Sequence, residues 1–122
     1  MSQIWDIICE MKPVDFHPRA LEFIRAQSAS IRRQVGEALR DLQKGLSPGM
    51  PLSRPMTAIA PGVYELRIRG EGTVVRVFYH LRKADAIIVF LAFQKKSQKT
   101  PSREIHLARQ RLQEVLNETI KS

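Results

Sequence analysis

Two arginines separated by a single residue, Arg67 and Arg69, stand in a β-forming segment in the second half of the chain. Side chains alternate between the two faces of a strand, so both guanidiniums lie on one face, together with Glu65. The next such segment carries Arg76 inside the apolar run 74–78. An inward-facing charge in such a run is costly unless it is paired. We therefore expect Arg76 to lie on the open face of the sheet or to have a fixed acidic partner.

Three lysines, Lys95, Lys96 and Lys99, follow the third β-forming segment directly. They precede Thr100 and Pro101, a pair that is typical of a helix N-terminus. Backbone N–H groups and the helix dipole attract anions at such a terminus, and the lysines add to that attraction. Together with the arginines, this pattern predicts a site for phosphate.

Aromatic residues near these cations indicate that the phosphate could belong to a nucleic acid. Arginine is able to hold a phosphate while an exposed ring, such as Tyr79 or Phe93, stacks a base. Each residue also has a plainer interpretation. Tyr79 suits a place in the core, and Arg67 and Arg69 suit the charges by which edge strands resist aggregation. The lysines suit a solvated loop, so the pattern leaves both interpretations open.

The sequence lacks the motifs of several other enzyme classes. It contains no P-loop, no glycine pattern for a dinucleotide and no nucleophile elbow. The three histidines, His17, His80 and His106, are isolated, and no cysteine stands at metal-ligand spacing from them. We therefore expect neither a zinc site nor a cofactor.

The net charge favours an anionic partner. The chain has 122 residues and a formal net charge of +8, and eleven Lys/Arg against four Asp/Glu lie within residues 62–111. Such asymmetry favours nucleic acid, an anionic membrane surface or an acidic protein. The single cysteine, Cys9, cannot form an internal disulfide, the longest apolar run is too short to span a bilayer, and the N-terminus is unlike a signal peptide. We expect one cytoplasmic domain over residues 1–122.

The hydrophobic pattern predicts an α+β domain with the order βααβββα. Asp15 or His17 opens the first helix, whose apolar stripe includes Phe16, and Ser28 or Ser30 caps the second helix. The third strand of the later group is almost wholly apolar, which predicts that both of its faces are covered. The predicted elements are a strand over 3–11, an αα-hairpin that ends at Gly45, a long loop over 45–61, antiparallel strands over 63–69, 73–81 and 86–94, and a helix from Thr100 to about Thr119.

The segments that carry the cations also have a distinctive sequence. They are Gly-Val-Tyr-Glu-Leu-Arg at 62–67, Val-Arg-Val-Phe-Tyr at 75–79 and Phe-Gln-Lys-Lys-Ser-Gln-Lys-Thr-Pro at 93–101, followed by Glu104 and Ala108. This combination resembles the phage-derived, HigB-like branch of the RelE/ParE toxin superfamily, over nearly the whole chain. The resemblance implies a RelE/ParE-like fold, in which a small antiparallel sheet is packed by an N-terminal helical hairpin and a C-terminal helix.

The same resemblance implies a function. It indicates the toxin of a type II toxin–antitoxin system, which cuts mRNA on the ribosome without a metal and is neutralised by a helix-turn-helix antitoxin. In that chemistry the RNA 2′-OH attacks the adjacent phosphodiester and the 5′-oxygen leaves. The reaction requires a base, an acid and stabilisation of the charge on the phosphorane.

Matching positions give individual residues their expected roles. Arg67 would bind the scissile phosphate, and Arg76 matches the arginine of the next strand. Lys95 and Lys96 would stabilise charge. His106 stands where a tyrosine acts in the RelE branch, and an imidazole suits an acid or a base near neutral pH, although a surface position suits it equally. Three further candidates for RNA binding are Arg69, Tyr79 and Lys99.

Two other functions fit the same pattern. A ParE-like protein of this fold would inhibit DNA gyrase by binding it, and fold alone does not separate the two activities. A non-catalytic regulator that binds RNA or DNA would explain the charge and would need no particular geometry of the arginines. The lysine run and the histidine on the last helix favour RNA cleavage over gyrase binding.

Overall fold

A five-stranded sheet with helices on both faces forms the described part of the protein. The computed structural model describes residues 13–46, 52–70, 72–82, 86–95 and 102–121. The elements in chain order are β1 (Val14–Phe16), α1 (Pro18–Arg25), α2 (Ala29–Gln43), β2 (Ser53–Pro55), β3 (Val63–Gly70), β4 (Thr73–Arg82), β5 (Ala86–Lys95) and α3 (Ser102–Lys121). No helix among these residues is long and apolar enough to cross a membrane.

The strands lie in the order β1-β5-β4-β3-β2. Short connections join β3, β4 and β5, which pair antiparallel, as the predicted three-stranded meander requires. β2 pairs antiparallel with β3 at one edge, and β1 pairs parallel with β5 at the other. The parallel pair is possible because the helices and three strands that separate β1 from β5 provide a long crossover.

The start of the first helix differs from the prediction for Phe16. This residue belongs to β1, and α1 begins at Pro18 with His17 as its N-cap. The ring of a proline disfavours helical backbone in the residue before it, and His17 is extended at φ −65° and ψ 135°. The helix therefore cannot include Phe16. The strand predicted over 3–11 lies outside the described residues.

The second helix begins and ends as the sequence predicts. The Ser28 hydroxyl accepts a hydrogen bond from the Ile31 N–H, so Ser28 is the N-cap. Gly45 follows the C-cap, Lys44, with a φ of 88°, a conformation that glycine adopts without strain. The confirmed αα-hairpin thereby packs one apolar face against the sheet.

Each face of the sheet has its own core. The face under α1 and α2 buries Leu66, Ile68, Val75, Val77 and Tyr79 with the helical stripe. The face under α3 buries a second set, which is Val63, Phe78, Ile88, Phe90 and Leu91 with Ala108, Leu112 and Val115 of the helix. β5 contributes to both sets, so its predicted double coverage is confirmed.

An irregularity in β5 changes which residues share a face. Phe78 is paired with Leu91, but the next residue, Tyr79, is paired with Val89, so Phe90 is the extra residue of a bulge. A strand without the bulge would turn Phe93 to the opposite face. With it, Phe93 packs in the core under α3 and meets the ring of Phe78 edge-on, with centroids 5.4 Å apart.

The predicted loop over 45–61 contains a short strand that the sequence analysis did not predict. Ser53–Pro55 forms β2, in which Arg54 is paired with Glu65. Three residues that end in a proline are too few to show a period of two, so the sequence gives no strand signal there. This edge strand brings one more arginine to the face under α3.

Two glycines should respond oppositely to replacement by alanine. Gly36 is exposed in the middle of α2, and an added Cβ would meet nothing within 4 Å. Gly36→Ala should therefore raise the free energy of unfolding by about 0.5–1 kcal/mol. At Gly70 an added Cβ would lie 2.8 Å from the Ile31 Cδ1, a buried methyl group. Gly70→Ala should cost about 1 kcal/mol, and urea unfolding of both variants checks the pair. A stabilised Gly70→Ala variant would contradict this packing.

Candidate nucleic-acid interface

A single buried carboxylate organises the basic residues of the sheet. Glu65 has no exposed surface, and its Oε2 accepts a hydrogen bond of 2.6 Å from the Arg76 guanidinium. Its Oε1 accepts one of 3.2 Å from Arg54 Nε and lies 3.5 Å from Arg67 Nε. We call these four residues, Arg54, Glu65, Arg67 and Arg76, the Glu65 cluster.

Strand register explains why these side chains meet. Arg54 is paired with Glu65 across β2 and β3, and Arg67 is paired with Arg76 across β3 and β4. Glu65 and Arg67 are two residues apart on one strand, so they share a face. Arg76 is the diagonal neighbour of Glu65, a distance that a long side chain reaches. The cluster therefore depends on three neighbouring strands.

Within the described residues, three guanidiniums of the cluster approach a single carboxylate. Arg76 is 2% exposed, whereas the side chains of Arg67 and Arg54 are 26% and 33% exposed. Burial lowers the pKa of Arg76, and the neighbouring Glu65 carboxylate opposes that effect. Arginine remains a cation after such a shift. Two of the three guanidiniums, those of Arg54 and Arg67, are thus held where solvent reaches them.

Of the two alternatives expected for Arg76, the open face or a fixed acidic partner, the structure shows the acidic partner, Glu65. The resemblance implied a catalytic role for Arg76, but a guanidinium with 2% exposure does not reach a bound ligand in this structure. Its contact with Glu65 instead orients the carboxylate that Arg54 and Arg67 also approach. Arg76 is therefore a positioning residue.

Arg67 keeps N–H donors that no described residue uses. Its Nε has an ion-pair contact with Glu65 but no hydrogen-bond acceptor within the described residues. A guanidinium has five N–H donors, so Arg67 retains donors for a second anion. Arg69 is exposed two residues further along β3, where the Gln34 side chain donates to its backbone carbonyl at 3.0 Å.

Of the three predicted lysines, only Lys95 lies within the described residues, at the end of β5. The backbone of Lys95 ends β5 and is paired with Val74, which is paired in turn with Arg69. The register therefore places Lys95 in the row of Arg69. Lys96 and Lys99 lie outside the described residues, so their roles stay predictions.

His106 is exposed on α3, one turn into the helix. It lines a shallow pocket with Arg109, Gln110 and Gln113. The Arg109 guanidinium donates to the Ala58 carbonyl, which joins this face of α3 to the segment that follows β2. No hydrogen bond or ion pair in the described part of the chain joins His106 to the Glu65 cluster. Its part in a reaction stays a prediction.

Tyr79 does not fit the predicted contact with RNA. It is 1% exposed and lies in the core under α1 and α2, on the face opposite the Glu65 cluster. Its ring stacks on Tyr64, and its hydroxyl lies 2.7 Å from the Ser53 hydroxyl. A buried ring is not available to stack a base, so we leave Tyr79 out of the interface.

Two other histidines lie apart from the cluster. His80 is paired with Val63, four residues along β4 from Arg76, and a Cβ on Gly62 would come 3.3 Å from its Nε2. His17 caps α1 through Nδ1, which accepts from the Arg19 N–H, and its Nε2 lies 2.9 Å from a carboxylate oxygen of Glu114. The described residues contain no group of three or more His, Cys, Asp or Glu that could hold a metal ion.

A five-stranded sheet with a helical hairpin on one face and a long C-terminal helix on the other defines the class of the fold. The solved structure of the E. coli toxin RelE, a double mutant in the free state, has the same fold. The two chains are 20% identical, with a TM-score of 0.55, and the match covers 79% of this chain and 90% of RelE. No curated protein was found to match the chain.

The model of the family described as "Phage derived protein Gp49-like (DUF891)" matches residues 22–113. The chain belongs to this family. The matched residues include α2, β2, β3, β4 and β5 completely, and hence the whole Glu65 cluster. The family match agrees with the predicted likeness to phage-derived proteins. The RelE structure confirms the predicted RelE/ParE-like α+β fold.

Proposed function

We propose that this protein is the toxin of a type II toxin–antitoxin system and that it cuts mRNA on the ribosome, which inhibits translation. The Glu65 cluster carries the proposal, because it presents two partly exposed guanidiniums that a buried carboxylate holds in place. The RelE-like fold supports it, since the protein with the similar structure is a toxin. The proposed partner is a helix-turn-helix antitoxin, and the proposed location is the cytoplasm.

The proposed reaction needs no metal. The RNA 2′-oxygen forms a bond to phosphorus while the bond from phosphorus to the 5′-oxygen breaks, which leaves a 2′,3′-cyclic phosphate and a 5′-hydroxyl. A base removes the proton of the 2′-OH, and an acid gives a proton to the departing 5′-oxygen. The negative charge on the non-bridging oxygens rises in the transition state, which is where fixed cations lower the barrier.

Arg67 and Arg54 provide that charge stabilisation in this proposal. Both side chains are anchored on Glu65, so little reorganisation is required when a phosphate arrives. Arg69 and the lysines 95, 96 and 99 would bind the neighbouring phosphates of the strand. Arg76 remains beneath them and orients Glu65.

His106 is the proposed proton carrier, because it is exposed on the helix that covers this face of the sheet. His106→Gln should lower the rate of single-turnover cleavage by about a hundredfold, since general acid–base catalysis contributes at least that much in most enzymes. The affinity for RNA should change less than twofold, because the glutamine keeps a polar side chain. Gln110→Ala, on the same pocket wall, is the matched control. An unchanged rate for His106→Gln would remove this residue from the mechanism.

Cleavage of ribosome-bound mRNA tests the proposed function with purified components, in a buffer that keeps the Mg²⁺ that ribosomes require. We expect fragments that carry a 2′,3′-cyclic phosphate on one side of each cut and a 5′-hydroxyl on the other. A DNA gyrase supercoiling assay on the same preparation should show no inhibition. Intact mRNA together with inhibited gyrase would instead indicate a ParE-like poison, and RNA binding without cleavage would indicate a regulator.

A further inference from the structure

A pair of hydroxyl groups on the back of the sheet joins an edge strand to a strand two positions away. Ser53 Oγ and Tyr79 Oη lie 2.7 Å apart and both residues are buried. β3 lies between β2, which carries Ser53, and β4, which carries Tyr79. The ring of Tyr79 stacks on Tyr64 of β3, with centroids 5.6 Å apart and an angle of 19° between the planes. The hydrogen bond therefore passes over β3 and ties β2 to β4.

Backbone pairing with β3 holds β2 on one side, and it includes hydrogen bonds of 2.8 Å just outside each end of the strand. Among the described strands β2 pairs with β3 alone, and Pro55 has no backbone N–H to donate. The buried hydrogen bond between Ser53 and Tyr79 adds a side-chain contact that reaches past β3 to β4. Breaking it would leave a buried hydroxyl without its partner.

The position of Ser53 determines the position of Arg54. The two residues are consecutive in β2, so their side chains point to opposite faces of the sheet. Ser53 points to the core under α1 and α2, and Arg54 points to the Glu65 cluster. Arg54 Nε donates to Glu65 Oε1 at 3.2 Å, while a third of the side chain stays exposed. A shift of β2 that breaks the bond on one face would move the guanidinium on the other.

We infer that Tyr79, acting through Ser53, positions Arg54 for contact with an RNA phosphate. The inference rests on the proposed function, in which Arg54 binds phosphate. Tyr79 itself touches no RNA and is a positioning residue. Burial raises the pKa of Tyr79, so its hydroxyl stays protonated and able to bond at physiological pH.

Tyr79→Phe tests the inference, since it removes only the hydroxyl. The dissociation constant for a single-stranded RNA oligonucleotide should rise about fivefold. In an Arg54→Ala background, which should itself weaken binding about tenfold, the same change should have less than a twofold effect. Tyr64→Phe is the matched control, because it removes a hydroxyl from the stacked ring and leaves the bond to Ser53. Ser53→Thr, which keeps a hydroxyl, should retain most of the affinity.

An NMR measurement of arginine side chains gives a readout that does not depend on RNA. The Arg54 Nε–H signal should exchange with water about fivefold faster in Tyr79→Phe than in the wild-type protein, while the Arg76 signals should be unaffected. An equal loss of affinity in the Arg54→Ala background would mean a general structural effect and would overturn the inference. If the wild-type protein neither binds free RNA nor cuts ribosome-bound mRNA, the proposed function fails. The exchange rate still decides the positioning of Arg54 in that case: faster exchange supports it, and unchanged exchange overturns it.

Discussion

Glu65→Gln is expected to lower the free energy of unfolding by about 3–5 kcal/mol, the usual cost of removing one partner from a buried ion pair. Glutamine has nearly the same shape, so the change removes the charge and leaves no cavity. Arg76, which is almost fully buried, would then lose the Glu65 carboxylate, and Arg67 and Arg54 would lose their common anchor. Unfolding in guanidinium chloride, followed by circular dichroism, measures the effect.

A double variant separates the buried charge from the shape of the site. Glu65→Gln combined with Arg76→Met should recover most of the lost stability, because the buried Arg76 charge is removed together with the carboxylate that it contacts. It should not recover activity, because Arg67 and Arg54 would still lack their carboxylate. A single Glu65→Gln variant within about 1 kcal/mol of the wild-type stability would show that the cluster is not a buried ion pair in solution.

Arg67→Ala is expected to lower the rate of RNA cleavage by about 100- to 1,000-fold, the usual cost of losing one fixed group that stabilises charge in a transition state. The side chain is partly exposed, and Arg76 keeps its shorter contact with Glu65, so the fold should persist. Single-turnover cleavage of ribosome-bound mRNA gives the rate, and thermal unfolding confirms the fold. Growth arrest on induction should disappear in parallel.

Two variants make the Arg67 result specific. Arg33→Ala removes the same charge from the exposed surface of α2, on the other side of the sheet, and should change the rate less than threefold. Arg67→Lys keeps the charge but loses the planar fork of donors, so its rate should lie between those of the wild type and the alanine variant. If Arg33→Ala reduced cleavage as much as Arg67→Ala, net charge rather than the Glu65 cluster would explain the activity.

Alternation along β3 and β4 was enough to predict the basic face. It placed Glu65, Arg67 and Arg69 together and showed that Arg76 needed either the open face or an acidic partner. The choice of Glu65 as that partner depended on the register between β3 and β4, which a single sequence does not provide. The contact also depends on β4 lying beside β3, which brings Arg76 within reach of Glu65.

Arg54 was missed and Tyr79 was misplaced for different reasons. Arg54 lies in a strand of three residues within a segment rich in proline and glycine, where no periodic pattern can appear. Tyr79, however, is three residues from Arg76, so simple alternation already placed it on the opposite face. Tyr79 was predicted to bind RNA because it is near arginines in the sequence, which is a weaker criterion than alternation. The structure gives Tyr79 a position behind the cluster that the sequence did not suggest.

At the bulge in β5 and at the start of α1, the local sequence pattern did not predict the structure correctly. The bulge at Phe90 reverses the alternation for the last residues of β5. The residues on both sides of it are apolar, so the sequence shows no change of pattern there. The start of α1 was locally encoded, because Pro18 restricts His17 to an extended backbone. Phe16 was assigned to the helix because its spacing from Ala20 and Ile24 also fits a helical stripe.

Mapping of mRNA ends after induction in living cells tests the central claim most directly. The protein is expressed from an inducible promoter beside the Arg67→Ala variant, and the 5′ ends of cellular transcripts are mapped by primer extension. We predict discrete new ends inside translated regions for the wild type and none for the variant. Growth arrest by the wild type while its mRNA stays uncut would contradict the assignment of this site to RNA cleavage.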